Sequence, residues 1–322
     1  MPRGTLTYGA LLLIVAGLSM PAPGASWEKL SWNAPGARRK PPPNVNAVAV
    51  LGRANAYLGT SDGRLLHWDG ARLNAVDHPA KASPRKFVVN AADDVWVFGD
   101  DALSLHYDGR AWTRVDNPLS WRKPSQGRLW GAGCAAPDRC FAGTRDGRLI
   151  EWDGNKWHDA RSPVEKARIH AVQFSSLRAG WMVGDGFFAR WDGKDWKKAD
   201  MKDVLRMYDL AVIGDDFGWA VGDHGALFAY DGTAWTKVEA PASLFRLRAI
   251  ACASRTDCWA VGEAGAVFGW NGERWQRTRL GTPDRLTAVA AGNGTALLAG
   301  DHGTLFRRTA TVPAAAQPAE AP

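Results

Sequence analysis

Apolar and polar positions alternate along most of the chain, and short polar loops interrupt the alternation at regular intervals. The clearest stretch is Trp219–Val238, with the sequence WAVGDHGALFAYDGTAWTKV. An alternating period of two residues is typical of a half-buried β-strand. This stretch therefore predicts strand, tight loop, strand, hairpin turn and strand. Its Asp-Gly pair predicts a two-residue type I′ turn, because Asp and Gly tolerate the positive φ that such a turn needs at both centres.

The same pattern recurs along the chain. Its aromatic-Asp/Asn-Gly turn returns every 39 to 45 residues, at Trp68-Asp69-Gly70, Tyr107-Asp108-Gly109, Trp152-Asp153-Gly154, Trp191-Asp192-Gly193, Tyr230-Asp231-Gly232 and Trp270-Asn271-Gly272. A repeat of this length with only strand patterns inside it predicts one four-stranded propeller blade per repeat. The residue three positions after each Gly is predicted to pack between blades, with stacking on a sugar as the alternative. These residues are Leu73, Trp112, Trp157, Trp196, Trp235 and Trp275.

The two ends of the repeat region have complementary defects. Ser26–Trp32 (SWEKLSW) resembles an isolated last strand of the repeat, whereas the final copy, Leu286–Thr309, lacks both the Asp-Gly turn and the last strand. Pairing these two segments would close the array and remove an exposed sheet edge. We therefore predict an all-β, seven-bladed β-propeller over residues 26–309, closed by an N-terminal strand that completes the last blade.

The flanking segments and the cysteines indicate export. Residues 1–25 combine Arg3, an apolar run and a small, Pro-rich stretch, which predicts a cleaved signal peptide and no later transmembrane segment. Residues 310–322 are rich in Ala and Pro and predict a disordered tail. The pairs Cys134–Cys140 and Cys252–Cys258 share a spacing and predict two disulfides, with a metal site as the alternative. The predicted location is periplasmic or secreted.

The formal net charge of +7 permits an acidic protein partner or an anionic ligand. Nucleic acid is not predicted as a partner, because the export signal disfavours it and no basic reader motif occurs. No motif of a nucleophile elbow, metalloprotease helix or phosphate loop is present. We predict neither catalytic residues nor a metal or cofactor, and the oligomeric state is left open.

Arginine recurs at the start of the predicted inner strands. The set comprises Arg168, Arg206, Arg246 and Arg285, with Arg128 and Arg85 in looser matches. Inner strands begin at one face of a propeller, so these side chains are predicted to form a ring around one mouth of the central channel.

Acidic residues are predicted to reach the same mouth from the loops after the second strands. They are Asp100, Asp185, Asp223, Glu263 and Asp301, with Thr60 and Thr144 at the matching positions of two blades. Two interpretations remain open. The acids can neutralise the ring as salt bridges between blades, or part of the ring can stay free for a carboxylate or phosphate. Blades one and three lack the acid, so an unpaired arginine such as Arg128 is expected there.

The repeat at Gly218–Lys237 resembles the BNR or Asp-box repeats of propellers, and the whole region is similar to seven-bladed proteins related to the photosystem II assembly and stability factor. The Ser or Thr expected two residues before the Asp is replaced by other residues in every copy, for example by His67 and Ala229. The resemblance implies an exported, non-enzymatic scaffold that binds protein through an arginine-rich face. A glycan-binding or glycan-hydrolysing, sialidase-like propeller is the alternative, although the Tyr-Glu pair of sialidases has no counterpart in this chain.

Overall fold

Seven four-stranded antiparallel sheets, the blades, make up the fold, and in each sheet the strands follow one another from the channel axis to the rim. The blades are numbered one to seven in the order of their inner strands along the chain. The inner strands are β2 (Val45–Gly52), β6 (Pro84–Ala91), β10 (Leu129–Ala136), β14 (Ile169–Ser176), β18 (Met207–Ile213), β22 (Leu247–Ser254) and β26 (Leu286–Gly292). The second strands are β3 (Asn55–Thr60), β7 (Asp94–Gly99), β11 (Arg139–Thr144), β15 (Ala179–Gly184), β19 (Phe217–Gly222), β23 (Asp257–Gly262) and β27 (Thr295–Gly300). The third strands are β4 (Leu65–Trp68), β8 (Ser104–Tyr107), β12 (Leu149–Trp152), β16 (Phe187–Trp191), β20 (Leu227–Tyr230), β24 (Val267–Trp270) and β28 (Leu305–Thr309). The outer strands are β5 (Leu73–Val76), β9 (Trp112–Arg114), β13 (Trp157–Ala160), β17 (Trp196–Lys198), β21 (Trp235–Lys237), β25 (Trp275–Arg277) and β1 (Ser26–Lys29).

The computed structural model describes residues 26–31, 41–120, 127–239 and 245–309, and these ranges contain no α-helix. Neighbouring inner strands contact one another around a closed ring, in which β26 contacts β2. The predicted seven-bladed all-β propeller is therefore confirmed. The predicted signal peptide and tail, residues 1–25 and 310–322, lie outside the described residues, so both stay predictions.

The ring closes as predicted. Strand β1 pairs antiparallel with β28, with Trp27 opposite Arg308 and Lys29 opposite Phe306. The indole of Trp27 packs edge-on against Trp259, with ring centroids 4.9 Å apart. The first strand of the described chain therefore completes the last blade and covers the edge that β28 would otherwise expose.

The cores lie between adjacent blades. The aromatic at the start of the outer strand is buried in four blades, with exposed fractions of 5 to 8% for Trp112, Trp157, Trp196 and Trp235, and Leu73 is also buried. These residues pack between blades, as predicted, and are not free to stack on a sugar. Trp275 is half-buried in the corresponding position.

The Asp-Gly turns differ from the prediction. Trp68 pairs with Leu73, so the loop between β4 and β5 contains four residues, and Gly70 (φ +96°) has a positive φ whereas Asp69 has not. The Asp69 carboxylate instead accepts the N–H groups of Ala71 and Arg72, at 2.9 and 2.8 Å. The prediction of a type I′ turn was wrong. The Asp side chain accepts the N–H groups of this loop, so the Asp backbone does not need a positive φ.

A β-bulge near the start of every inner strand positions the residues of the site. In each blade the register shifts after the first strand residue, so that one residue has no partner on the second strand. Bulges redirect side chains. The bulged residues are Asn46, Arg85, Trp130, His170, Tyr208, Arg248 and Thr287, which we call the inner ring.

Candidate functional site: an arginine-rich mouth of the channel

Five of the predicted arginines occupy one equivalent position. Arg128, Arg168, Arg206, Arg246 and Arg285 each directly precede the first residue of an inner strand. In four of these blades the arginine carbonyl accepts the N–H of the acidic loop residue that follows the second strand, as in Asp223 N–H to Arg206 O at 2.9 Å. The strand start and the acidic loop therefore meet at one mouth of the channel, which is the geometry that the sequence predicted.

Arg85 does not belong to this ring. Its strand begins at Pro84, one residue before Arg85, and it is Ser83 whose carbonyl accepts the N–H of Asp100. Arg85 is the bulged residue of its blade, equivalent to Arg248. The apolar run after Arg85 resembles the strand starts of other blades, but Arg85 lies two residues after Ser83, which is the residue equivalent to the ring arginines, and the prediction was wrong in this detail.

The arginine ring is held by ion pairs, many of which cross from one blade to the next. Between blades, Arg206 Nε lies 2.7 Å from Asp185 and Arg246 Nε lies 3.1 Å from Asp223. Within a blade, Arg285 Nη2 lies 3.0 Å from Asp301. The inner ring binds the same acids, because Arg85 forms a fork with Asp100 and Arg248 contacts Glu263. The salt-bridge interpretation therefore holds for much of the ring.

The acid position is exchanged for a cation in the third blade. Thr60 and Thr144 are not equivalent to the acids. Each pairs with the first residue of its inner strand, as Gly222 does in the fifth blade, where the acid Asp223 follows one residue later. The equivalent residues are one position later, Ser61 and Arg145. The sequence offered a signal for this, since the acid lies two residues before the loop glycine in blades with the same loop length, and Arg145 lies two residues before Gly147.

A patch of weakly compensated positive charge results, which we call the basic sector and define as Arg128, Arg145 and Arg168. Arg128 is not unpaired as predicted, because its Nε lies 3.6 Å from Asp100 in the preceding blade. Arg168 Nε lies 3.7 Å from Asp185. Both distances exceed the 2.7–2.9 Å of a charge-assisted hydrogen bond. Arg145 is exposed and has no ion pair among the described residues, and its guanidinium lies 5.9 Å from the Trp130 ring centroid.

The inner ring lies below this mouth and is divided into two halves. Blades three to five contribute the aromatic rings of Trp130, His170 and Tyr208, with centroids 5.4 and 5.5 Å apart. Blades six, seven, one and two contribute Arg248, Thr287, Asn46 and Arg85. All seven line a cavity of about 120 Å³ on the channel axis, which we call the axial pocket. Sequence reasoning missed this ring, because a bulge cannot be located from the apolar pattern.

An ion pair crosses the channel beneath the axial pocket. Lys86 Nζ from the second blade lies 3.3 Å from Asp209 Oδ1 of the fifth blade, and Asp209 Oδ2 accepts the N–H of Ile250 at 3.1 Å. Farther along the axis, the inner strands enclose a second cavity of about 380 Å³, lined mainly by small and apolar residues. Lys86 lines both cavities.

Asp185 gathers three ion-pair partners at the mouth, namely His170, Arg168 and Arg206. Its Oδ1 contacts His170 Nε2 at 2.9 Å and Arg206 Nε at 2.7 Å. Burial alone would raise the pKa of Asp185, but the hydrogen bonds from His170 and Arg206 lower it below the ordinary value. Burial lowers the pKa of His170, and its bond to Asp185 opposes this shift only in part. At neutral pH the site therefore contains an ionised Asp185 and a neutral His170.

The cysteines lie at the opposite end of the inner strands. Cys134 is directly opposite Cys140, and Cys252 is directly opposite Cys258, with Cα–Cα distances of 3.9 and 4.0 Å. Both pairs are at disulfide-bonding distance, which agrees with the disulfide prediction. No cluster of three or more metal-ligating side chains occurs in the described ranges, and no helix there could cross a membrane.

Comparisons with known proteins give similarity at the level of the fold. No protein-family model matches the sequence, and no curated protein is similar to it in sequence. Solved structures of propellers are similar. YCF48 bound to a D1 peptide has a TM-score of 0.69 at 14% identity, over 88% of this chain and 97% of that chain. YCF48 from Cyanidioschyzon merolae has a TM-score of 0.66 at 14% identity, over 88% and 98%. A virginiamycin B lyase from Staphylococcus aureus has a TM-score of 0.74 at 12% identity, over 89% and 100%. At these identities the similarity establishes the propeller fold.

Proposed function

We propose that this protein is an exported, non-enzymatic scaffold that binds an acidic segment of a partner protein at its arginine-rich mouth, mainly through the basic sector. One observation carries the proposal: the third blade has Arg145 where five other blades have an acid. Arg128 and Arg168 flank this position and make only long contacts with their carboxylates. Guanidinium groups that are exposed and not saturated by internal acids are suited to carboxylates of a partner.

The other predicted arginines have a supporting part in this proposal. Arg206, Arg246 and Arg285 hold the blades in place through short ion pairs, and their remaining exposed surface adds positive potential around the sector. Arg85 does the same from the inner ring. A propeller similar in fold, YCF48, has been solved with a D1 peptide, which supports a peptide as the kind of ligand for such a scaffold.

The proposal places the protein in the periplasm or outside the cell. Residues 1–25 have the order of charge, apolar run and small residues of a signal peptide. Two cysteine pairs at disulfide distance are typical of proteins in oxidising compartments. N-terminal sequencing of the protein purified from fractionated cells tests this part: a start near residue 26 in the envelope or medium supports export, and an intact N-terminus in the cytoplasm contradicts it.

The binding face is tested with charge reversal. The variant Arg145→Glu/Arg168→Glu should weaken binding of an acidic decapeptide by at least about tenfold, or about 1.4 kcal/mol. The matched control is Arg110→Glu/Arg178→Glu, which makes the same charge change on two exposed loop arginines at the opposite face. A peptide with Gln in place of every Glu controls for non-electrostatic binding. Equal losses in both variants would indicate a net-charge effect and would refute the sector.

A glycan ligand is the second candidate, and one observation favours it. Trp130 and Tyr208 line the axial pocket together with the carboxylate of Asp209, and Tyr208 also donates its hydroxyl to Asp223, which is an arrangement that can stack on and hydrogen-bond to a sugar. The carboxylates, however, are already used by arginine, as Asp185 and Asp223 show. A glycan array with no binding, together with no turnover of glycosides, would exclude this function.

A further inference from the structure

We propose that the axial pocket is a separate binding site for one carboxylate side chain, and that Lys86 is the main residue that binds this carboxylate. This inference deepens the proposed function, because it names the element of an acidic partner that enters the channel. The basic sector lies at the rim of the mouth, whereas the axial pocket lies beneath it on the channel axis. Its volume of about 120 Å³ suits a single side chain better than a folded segment.

Three cationic side chains with unused hydrogen-bond donors line this pocket. Arg85 uses Nε and Nη2 on Asp100, and Arg248 uses the same two atoms on Glu263. The Nη1 group of each therefore has no hydrogen-bond partner among the described residues. Lys86 carries three N–H donors and makes one contact, to Asp209. These three cations line one small cavity, so an entering carboxylate could accept bonds that no internal group takes.

The floor of the pocket holds one competing anion. The 3.3 Å separation of Lys86 and Asp209 is longer than that of a usual charge-assisted bond, and Asp209 is also held by the N–H of Ile250. Asp209 is 8% exposed, so its charge acts in a poorly solvated region. Asp209 therefore limits the affinity of the pocket for a second carboxylate, while it also keeps Lys86 in place.

The aromatic half of the inner ring determines what the carboxylate is attached to. Trp130 is half-buried, and its Nε1 group is enclosed without a hydrogen-bond partner among the described residues. His170 is neutral at pH 7 and stacks on Trp130. An aliphatic stem can pack against these rings while its carboxylate meets the cations opposite. A glutamate side chain has both parts.

The opposing roles of Lys86 and Asp209 make the proposal testable without a known partner. The probe is N-acetyl-glutamate N-methylamide, and its glutamine counterpart is the control ligand. Binding is followed by NMR at the indole N–H of Trp130, assigned with Trp130→Phe. The expected result is a saturable shift with the glutamate probe only. Asp209→Asn keeps an acceptor for Ile250 and should tighten binding about tenfold, since it removes a neighbouring negative charge.

The double variant Lys86→Met/Asp209→Asn should then lose at least about tenfold in affinity relative to Asp209→Asn, because the cation is gone and no buried charge is left unpaired. Lys198→Met, on the outer strand β17, is the matched control and should bind like the wild type. Equal binding of the glutamine probe, or weaker binding by Asp209→Asn, would overturn the pocket. The probe does not require the basic sector, so this result is independent of the decapeptide experiment, and either proposal can fail alone.

Discussion

Replacing Asp185 by Asn should lower stability and raise affinity for acidic ligands at the same time. Asp185 joins the fourth and fifth blades, because it accepts from His170 in its own blade and from Arg206 in the next. Its backbone also bridges to that of Arg206. The substitution keeps the size and one carbonyl oxygen but removes the negative charge, so it separates electrostatics from packing.

The magnitude follows from the contacts. Hydrogen bonds to charged groups contribute about 1.5–3 kcal/mol each, and Asp185 accepts two short ones. The side chain is 27% exposed, and Asn retains one acceptor, so solvent screening and the remaining bond reduce the loss. We expect a loss of about 2 kcal/mol, which corresponds to a fall in Tm of about 2–4 °C for a chain of this size. Arg168 then lacks its counter-charge and Arg206 keeps only its longer contact with Asp223, at 3.8 Å, so affinity for the acidic decapeptide should rise about threefold to tenfold.

Urea unfolding and peptide titration measure the two effects on the same preparation. Asp195→Asn is the control, since it removes one exposed carboxylate from the opposite face of the same blade and pairs with no arginine among the described residues. It should leave both quantities nearly unchanged. If Asp185→Asn lowers affinity together with stability, the acid supports the ligand site directly, and the view of Asp185 as a competitor of the ligand is wrong.

Three further predictions concern pH, packing and closure. Burial lowers the pKa of His170, so the unfolded chain binds the proton more readily, and the free energy of unfolding should fall as the pH drops below about 6.5. His170→Gln should flatten this pH dependence in urea titrations at several pH values. Trp96→Ala should cost about 3–5 kcal/mol in the same assay because Trp96 is 1% exposed, and Trp275→Ala should cost clearly less; equal losses would contradict the packing argument. Deleting residues 26–29 should lower Tm and produce concentration-dependent association by size exclusion, because β28 becomes a free edge.

The architecture could be predicted from the sequence because the repeat period corresponds to a structural unit. Each repeat carries one blade, and the incomplete copy at Leu286–Thr309 required a strand from elsewhere, which Ser26–Lys29 supplies. The disulfide pairs followed from the shared spacing and the predicted export, since Cys134 and Cys140 bracket a short hairpin. The position of a residue in the repeat was therefore enough to predict its place in the fold for features set by strand order, such as the closing strand and the cysteine pairs.

The details of the site depended on register, and the apolar pattern does not determine register at a bulge. The apolar run after Arg85 predicts a place in the ring, but Ser83 is the equivalent residue. Matching Thr144 to the acids hides Arg145, whereas the distance to the loop glycine identifies Arg145 as the equivalent residue. The channel-crossing contact of Lys86 with Asp209 joins residues 123 positions apart, and nothing local in the sequence predicts it.

The most direct test of the account uses the partner itself. Once a protein has been co-purified with the mature chain from its native envelope fraction, its affinity should be measured for the wild type, Arg145→Glu/Arg168→Glu and Arg110→Glu/Arg178→Glu at several salt concentrations. The account predicts a loss of at least about tenfold in the basic-sector variant only, and weaker wild-type binding as salt rises. Unchanged affinity in that variant, or binding that does not respond to salt, would contradict recognition through the arginine-rich mouth.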